Sequence, residues 1–146
     1  MSVELPVAPV DALIRREAGG LRVSADAAEE LARRIQSEGA ALAVDAAERA
    51  TADGRKTLMA EDFGMSDLPG KDRLALPIAP IDRIARLDIA DRYRVAMDAR
   101  IALAQRLEEF ASAVAAAAAA LADHADRRTI KREDVQLYFE LEQYFG

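Results

Sequence analysis

The chain carries its own sequence twice, and a duplicated chain of this length has few ways to fold. Arg22 and Arg94, Thr57 and Thr129, and Asp62 and Asp134 share one separation, since 94 − 22, 129 − 57 and 134 − 62 all give 72. An internal duplication is the simplest source of such a period. Upstream, ELPVAPVDALIR (residues 4–15) answers to ALPIAPIDRIAR (residues 75–86), but Leu5 and Leu76 are 71 apart. One residue was therefore gained or lost between the LP-AP box and the RV pair. The expected boundaries are a first copy over residues 1–66, a linker over 67–75 and a second copy over 76–146. The seam GMSDLPGKDR (residues 64–73) has two Gly, a Pro, charges and no apolar period. A copy of about 60–70 residues is near the lower limit for a stable core of its own. Two copies burying one shared face are the better expectation.

Helix signals dominate and strand signals are weak. From Ser24 to about Ala52 there is no Pro and only one Gly, Gly39, and Ser24 can cap the start with Asp26 and Glu29 near the positive end of the dipole. In the second copy the helix is expected over about 96–125. There Leu103, Leu107, Phe110, Val114 and Leu121 form a heptad-like apolar stripe, read as core. Ala115 to Ala120 offer high helix propensity and small side chains, which let another helix cross closely. Shorter helices are expected over about 10–18, 81–87 and 131–144. In the first copy Gly64 and Pro69 limit the trailing helix to little more than a turn. The fold class is thus all-α, with a short helix, a long helix and a short helix in each copy.

With 26 acidic and 20 basic residues the net charge is −6, which argues against general affinity for polyanions. The chain has no Cys and one His, so thiolate metal sites and Cys nucleophiles are excluded. The alanine-rich window of about a dozen residues is short of the ~20 needed to span a bilayer. The N-terminal MSVELPVAPV lacks a basic region followed by an apolar one, so no signal peptide is expected and the chain is read as intracellular. No Gly-rich phosphate loop, nucleophile motif or metal signature is present, and neither catalysis nor a cofactor is expected. Glu29, Glu30, Glu108 and Glu109 are read as a solvated face.

The motifs ELPVAPV, RVSADA and GRKTLMAEDF, with their repeats LPIAPI, RVAMDA and DRRTIKREDV, resemble archaeal histones at family-like spacing over nearly the whole chain. The fused, acidic form is similar to the two-copy histones of salt-loving archaea. That resemblance implies tandem histone folds clasped as an intramolecular handshake pair, binding double-stranded DNA at the loops, with a cytoplasmic, chromosome-associated location. The family's DNA-contacting positions fall on Arg22, Lys56 and Thr57, and on Arg83, Arg94, Arg128, Thr129 and Lys131. Ala12 and Met59 stand where the family tends to have bases, and Arg15 and Arg16 could replace the missing helix base. A structural loop clamp falls on Arg55 with Asp62 and on Arg127 with Asp134. The family's self-association positions read Leu121, His124 and Asp134 in the second copy but Arg49, Ala52 and Asp62 in the first. The resemblance therefore implies a dimer of chains through the second copy.

Geometry agrees with the handshake. If the long helices cross antiparallel, the loop before one lies beside the loop after the other. Arg22 should then sit near Thr129 and Arg94 near Thr57, each beside a small basic cluster suited to phosphate contacts. Other readings stay open. A base after a helix can simply complement the dipole, and a Thr before one can simply cap it. The net charge leaves room for a histone-fold transcription regulator or a protein-interaction module whose acidic faces bind proteins, and for a purely structural helical pair.

Overall fold

The computed structural model describes residues 2–145. Their elements run α1 (Val7–Glu17), β1 (Arg22–Val23), α2 (Ala25–Ala52), β2 (Thr57–Leu58), 3₁₀ turns at Ala60–Phe63 and Lys71–Arg73, α3 (Ile78–Ala85), β3 (Arg94–Val95), α4 (Met97–His124), β4 (Thr129–Ile130) and α5 (Arg132–Glu142). The long helices are where the sequence places them. The short leading helices begin three residues earlier than expected, inside the LP-AP boxes. Pro6 and Pro77 are extended N-caps, and Pro9 and Pro80 fall in the first turn, where no intrahelical partner exists for the missing N–H.

Ser24 caps α2 as anticipated: its Oγ accepts the Ala27 N–H at 3.2 Å and its hydroxyl donates to Asp26. The trailing element of the first copy is a single 3₁₀ turn, ended by Gly64 in the left-handed region (φ 76°). Its counterpart α5 has 11 residues.

The described chain divides into two compact units, and the division cuts both long helices. One unit joins Pro6–Arg34 to the residues from Glu109 onward; the other joins the residues up to Leu5 to Ile35–Glu108. Each unit thus takes part of both copies, as a handshake pair requires and separate bundles would not. In the first unit Val10, Leu13, Ile14, Leu31, Val114, Ile130 and Val135 are buried; in the second, Ile35, Leu58, Phe63, Ile81, Ile84, Leu103 and Leu107 are. Gly39 explains itself in the second unit: a Cβ there would meet Ile84 Cγ2 at 2.7 Å and Leu107 Cδ1 at 2.9 Å.

Two sequence expectations need correction. Phe110 and Leu121 are only half-buried, although Leu103, Leu107 and Val114 of the same stripe are core. Phe110 lies beside the Phe139 ring, with centroids 6.1 Å apart. Glu30 and Glu108 are not part of a solvated face, being 8% and 7% exposed. Glu30 meets Arg34 at 2.9 Å and Arg33 at 3.6 Å. Glu108 accepts the Ala75 N–H at 2.8 Å, and its repeat partner Gln36 accepts the Glu4 N–H at 2.7 Å. The same position thus anchors the backbone ahead of each LP-AP box. A single-sequence pattern cannot show this, because the partner is a backbone amide more than thirty residues away.

Candidate nucleic-acid interface

Four two-residue strands, which the weak strand signals did not reveal, bring the loops together. β1 pairs in parallel with β4, with Arg22 opposite Thr129, and β2 pairs in parallel with β3, with Thr57 opposite Arg94. Arg22 N donates to Arg128 O at 2.8 Å and Ser24 N to Ile130 O at 3.0 Å. In the other unit Arg94 N donates to Lys56 O at 2.9 Å and Ala96 N to Leu58 O at 3.0 Å. Successive side chains on a strand point to opposite faces. Val23, Ile130, Leu58 and Val95 are therefore buried, while Arg22 and Arg94 are exposed and Thr129 and Thr57 half-exposed.

The clamps prevent two of the loop bases from reaching out. Arg127 donates to both Asp134 oxygens and to Thr129 O; Arg55 donates to both Asp62 oxygens at 2.9 Å and to Thr57 O at 2.8 Å. Each Asp also accepts the amide at the start of its own turn, from Lys131 and Met59 respectively, at 2.8 Å. Hydrogen bonds from Arg55 hold the Asp62 carboxyl below the usual range against the effect of burial, helped by the Met59 amide and the charges of Arg55 and Arg49. Burial pushes Asp134 up, but Arg127, the Lys131 amide and the charges of Arg127 and Lys131 together outweigh it and the net shift is downward. Asp62 drives Arg55 upward and Asp134 does the same to Arg127. The residue just before each clamp Arg is left-handed: Gly54 with φ 74° and Asp126 with φ 59°.

The bases left over differ between the loop pairs. Beside β1 and β4, Arg22, Arg128 and Lys131 are exposed; beside β2 and β3, Lys56 and Arg94 are. Among the described residues none of these five side chains has a hydrogen bond or salt bridge. Arg83, on α3, is exposed and lies 3.6 Å from Glu4. Arg15 and Arg16, the candidate substitutes for Ala12, are already engaged: Arg15 pairs with Asp11 at 2.7 Å, and Arg16 donates to Ser112 at 2.9 Å.

Two contributors escaped sequence reasoning. Arg132, whose repeat position holds Ala60, is half-buried against Glu29 and Glu30 at 3.8 and 3.9 Å. Tyr93 hydrogen-bonds Thr51 at 2.5 Å and ties the end of α2 to the residue before β3. Asp53, Glu61 and Asp62 converge closely enough to suggest a cation site, but the Arg55 guanidinium lies within 3.2 Å of all three and is itself the counter-ion.

Of the expected self-association residues, Leu121 is half-buried, His124 is exposed at the end of α4, and Asp134 is 1% exposed and committed to its own clamp. Among the described residues no helix is long and apolar enough to cross a membrane.

Comparison with known proteins agrees with this arrangement. Residues 3–65 and 74–138 each match the family described as histone-like transcription factor (CBF/NF-Y) and archaeal histone. A curated relative, one of the subunits of the archaeal histone HAN1 from Thermococcus zilligii, is 53% identical over 62 residues, which are 42% of this chain and 90% of that protein. The crystal structure of the histone from Methanopyrus kandleri matches with a TM-score of 0.67 at 24% identity over 90% of each chain. A protein of Thermus thermophilus matches with a TM-score of 0.72 at 18% identity over 98% of this chain and 99% of its own. At those identities the two structures speak for the fold alone. The duplicated family match, the bridged loops and the repeated clamp make the chain a member of the histone-like transcription factor and archaeal histone family, a tandem handshake pair.

Proposed function

We propose that the chain binds duplex DNA through the sugar-phosphate backbone at two bridged loop pairs, without strong sequence preference, and bends or compacts the duplex it holds. The observation that carries this reading is the exposure of Arg22 and Arg94 on two-residue strands whose other side chains are buried. A charged group fixed at a rigid bridge and lacking an internal partner is available to a phosphate at little cost in ordering. Thr129 and Thr57 sit opposite these arginines, and Arg128, Lys131 and Lys56 are close in sequence. If these groups contact only phosphates, specificity comes from duplex deformability.

The bases also support DNA binding by an acidic chain. Net charge weakens long-range attraction, but five unpaired bases concentrated on two loop pairs give a local positive field. If about five phosphates are neutralised, the affinity falls by roughly four to five decades for each tenfold rise in salt. Titration of random-sequence and unrelated defined duplexes across salt tests the reading. A linear log–log decline with similar affinities is expected; no binding at low salt would exclude it and favour the interaction-module reading, to which the net charge of −6 lends support.

The partner expected beside DNA is a second chain, joined through the second copy. Leu121 offers an apolar contact there, whereas the first copy has Arg49, donating to Asp62 O at 2.7 Å, and no trailing helix. Asp134 is already satisfied within its chain, so Leu121 and His124 rather than a His–Asp pair would carry the contact.

A further inference from the structure

The two copies enter β1 and β3 through the same turn, built from different residues. Before β1, Leu21 N donates to Ala18 O at 3.2 Å; before β3, at the 72-residue offset, Tyr93 N donates to Ala90 O at 3.1 Å. Between these ends the first copy has Gly19 and Gly20, both left-handed, with φ 60° and 95°. The second copy has Asp91 and Arg92, neither of them left-handed. A side chain at position 20 would be strained, because only Gly takes that conformation freely. The first turn therefore carries no base, and the second presents one.

From residue 92 to residue 95 the side chains alternate as in a strand. Arg92 and Arg94 are exposed, while Tyr93 and Val95 are buried. The Arg92 guanidinium carbon lies over the Tyr93 ring, 4.9 Å from its centroid. One guanidinium nitrogen is also 3.5 Å from the Tyr93 hydroxyl, which is long for a hydrogen bond, so the stack does most to orient the group. That hydroxyl shares a hydrogen bond of 2.5 Å with Thr51 at the end of α2. Among the described residues no carboxylate lies within salt-bridge distance of Arg92. Leu21 and Asp123 stand at the repeat positions of Tyr93 and Thr51. The loop pair of β1 and β4 therefore has neither the ring nor the hydroxyl that fixes it.

We propose that Arg92 is a further phosphate-binding base at the loop pair of β2 and β3, and that the Tyr93 ring positions it. The proposal rests on the DNA-backbone reading and adds a ring-held base to the five unpartnered ones. A guanidinium lying over a ring keeps its in-plane N–H donors free, and that planar fork matches a phosphate. The stack holds the side chain in place before DNA arrives, so less freedom is lost on binding. Thr51 contributes by anchoring the ring to α2. Arg92 thus adds a tied base to the loop pair where Met59 stands in the place of Lys131.

Fluorescence anisotropy with random-sequence duplex, titrated from about 0.05 to about 0.3 M salt, tests the proposal. Folding of every variant is checked by its thermal transition. Arg92→Ala should flatten the log–log salt slope by about one unit and weaken binding about five- to tenfold at about 0.1 M salt. Arg73→Ala, which removes the same charge from an exposed site in the 3₁₀ turn of the linker, should leave the slope unchanged. Tyr93→Leu, the residue of the first copy, should weaken binding without any change in net charge, and adding it to Arg92→Ala should cost nothing more. Tyr93→Phe, which keeps the ring and loses only the Thr51 bond, should retain most of the Arg92 effect and serves if Tyr93→Leu does not fold. An Arg92→Ala slope equal to that of the wild type, while Arg94→Ala flattens it, would remove Arg92 from the interface and leave the DNA reading intact. Equal losses in Arg92→Ala and Arg73→Ala would reduce the effect to net charge and overturn the proposal. Additive losses from Arg92→Ala and Tyr93→Leu would overturn the positioning role of the ring. A wild type that does not bind at low salt would overturn the DNA reading and this proposal with it.

Discussion

The loop pair of β1 and β4 and that of β2 and β3 share one backbone design but differ in what surrounds it. At the first, Arg22, Arg128 and Lys131 are free among the described residues, where Arg127 bonds Asp134 and the Thr129 carbonyl. At the second, Met59 replaces Lys131 by the 72-residue offset, leaving Lys56 and Arg94. Arg55 there faces Asp53, Glu61 and Asp62 at 3.0, 3.2 and 2.9 Å. Arg49, Arg106 and Tyr93 add ties to Asp62 O, Phe63 O and Thr51 that have no counterpart around β1 and β4 among the described residues. Duplication preserved the bridge and the clamp, which hold the fold, while the free charges diverged. One loop pair offers more charge; the other is more heavily tied.

DNA binding should give the largest measurable difference. Replacing Arg22, Arg128 and Lys131 together by Ala should flatten the salt slope by about three units, against about two for Lys56 with Arg94. Equal changes in slope would show that the count of free bases does not set the grip. Met59→Lys should add roughly one unit and bring the pairs level.

Stability should divide the two clamps next. Asp134→Asn leaves Arg127 with no other carboxylate within salt-bridge distance among the described residues, whereas Asp62→Asn leaves Arg55 with Asp53 and Glu61. Both changes should destabilise, by about 1–3 kcal/mol after allowance for the part-exposed arginines, and Asp134→Asn should be the worse in urea denaturation. The reverse order would mean that the additional carboxylates around Arg55 do not compensate.

Acid should affect both loop pairs together. Both aspartates titrate below their ordinary value when folded. Their contribution is therefore complete above an unfolded value of about 3.9 and is lost as pH falls from there through the folded values. Melting temperature against pH should be level on this account above about pH 5 and fall below about pH 4. In Asp62→Asn with Asp134→Asn that acid fall should be shallower.

The smallest effect lies in the turn before each clamp. Gly54 adopts its left-handed conformation without strain; Asp126 adopts it with a side chain. Asp126→Gly should stabilise by about 0.5–1 kcal/mol, a gain reduced by the greater freedom of Gly in the unfolded chain. Gly54→Asp should do the opposite. A melting temperature unchanged by either substitution would show that the turn is unstrained.

Much of this molecule was legible in its sequence because the information was local or repeated. The caps, the long Pro-free stretches and Gly64 bounded the helices. The antiparallel crossing that the resemblance implies, applied to the two copies, placed Arg22 beside Thr129 and Arg94 beside Thr57, and the bridge register reproduces this. The clamp pairs came from the resemblance, and the structure forms both, each Arg bonding the Asp seven residues after it.

Other features came only from residues distant in the chain. Burial of Glu30 and Glu108 depends on distant partners such as Arg132 and the Ala75 amide. The two-residue strands are too short to leave a periodicity, and they exist because two loops meet. Gly39 resembled a weak point in a helix until Ile84 and Leu107 occupied the space of its missing Cβ. An open groove beside Leu121 arises where α5 lies against alanines, so the same stripe that is core at Leu103 is half-exposed at Leu121. Sequence thus determined which helices form, through local propensity, and, with the crossing that the resemblance implies, which loops meet. Only the tertiary structure decided which charges remain free and which apolar surface stays open, because both depend on what the rest of the chain places beside them.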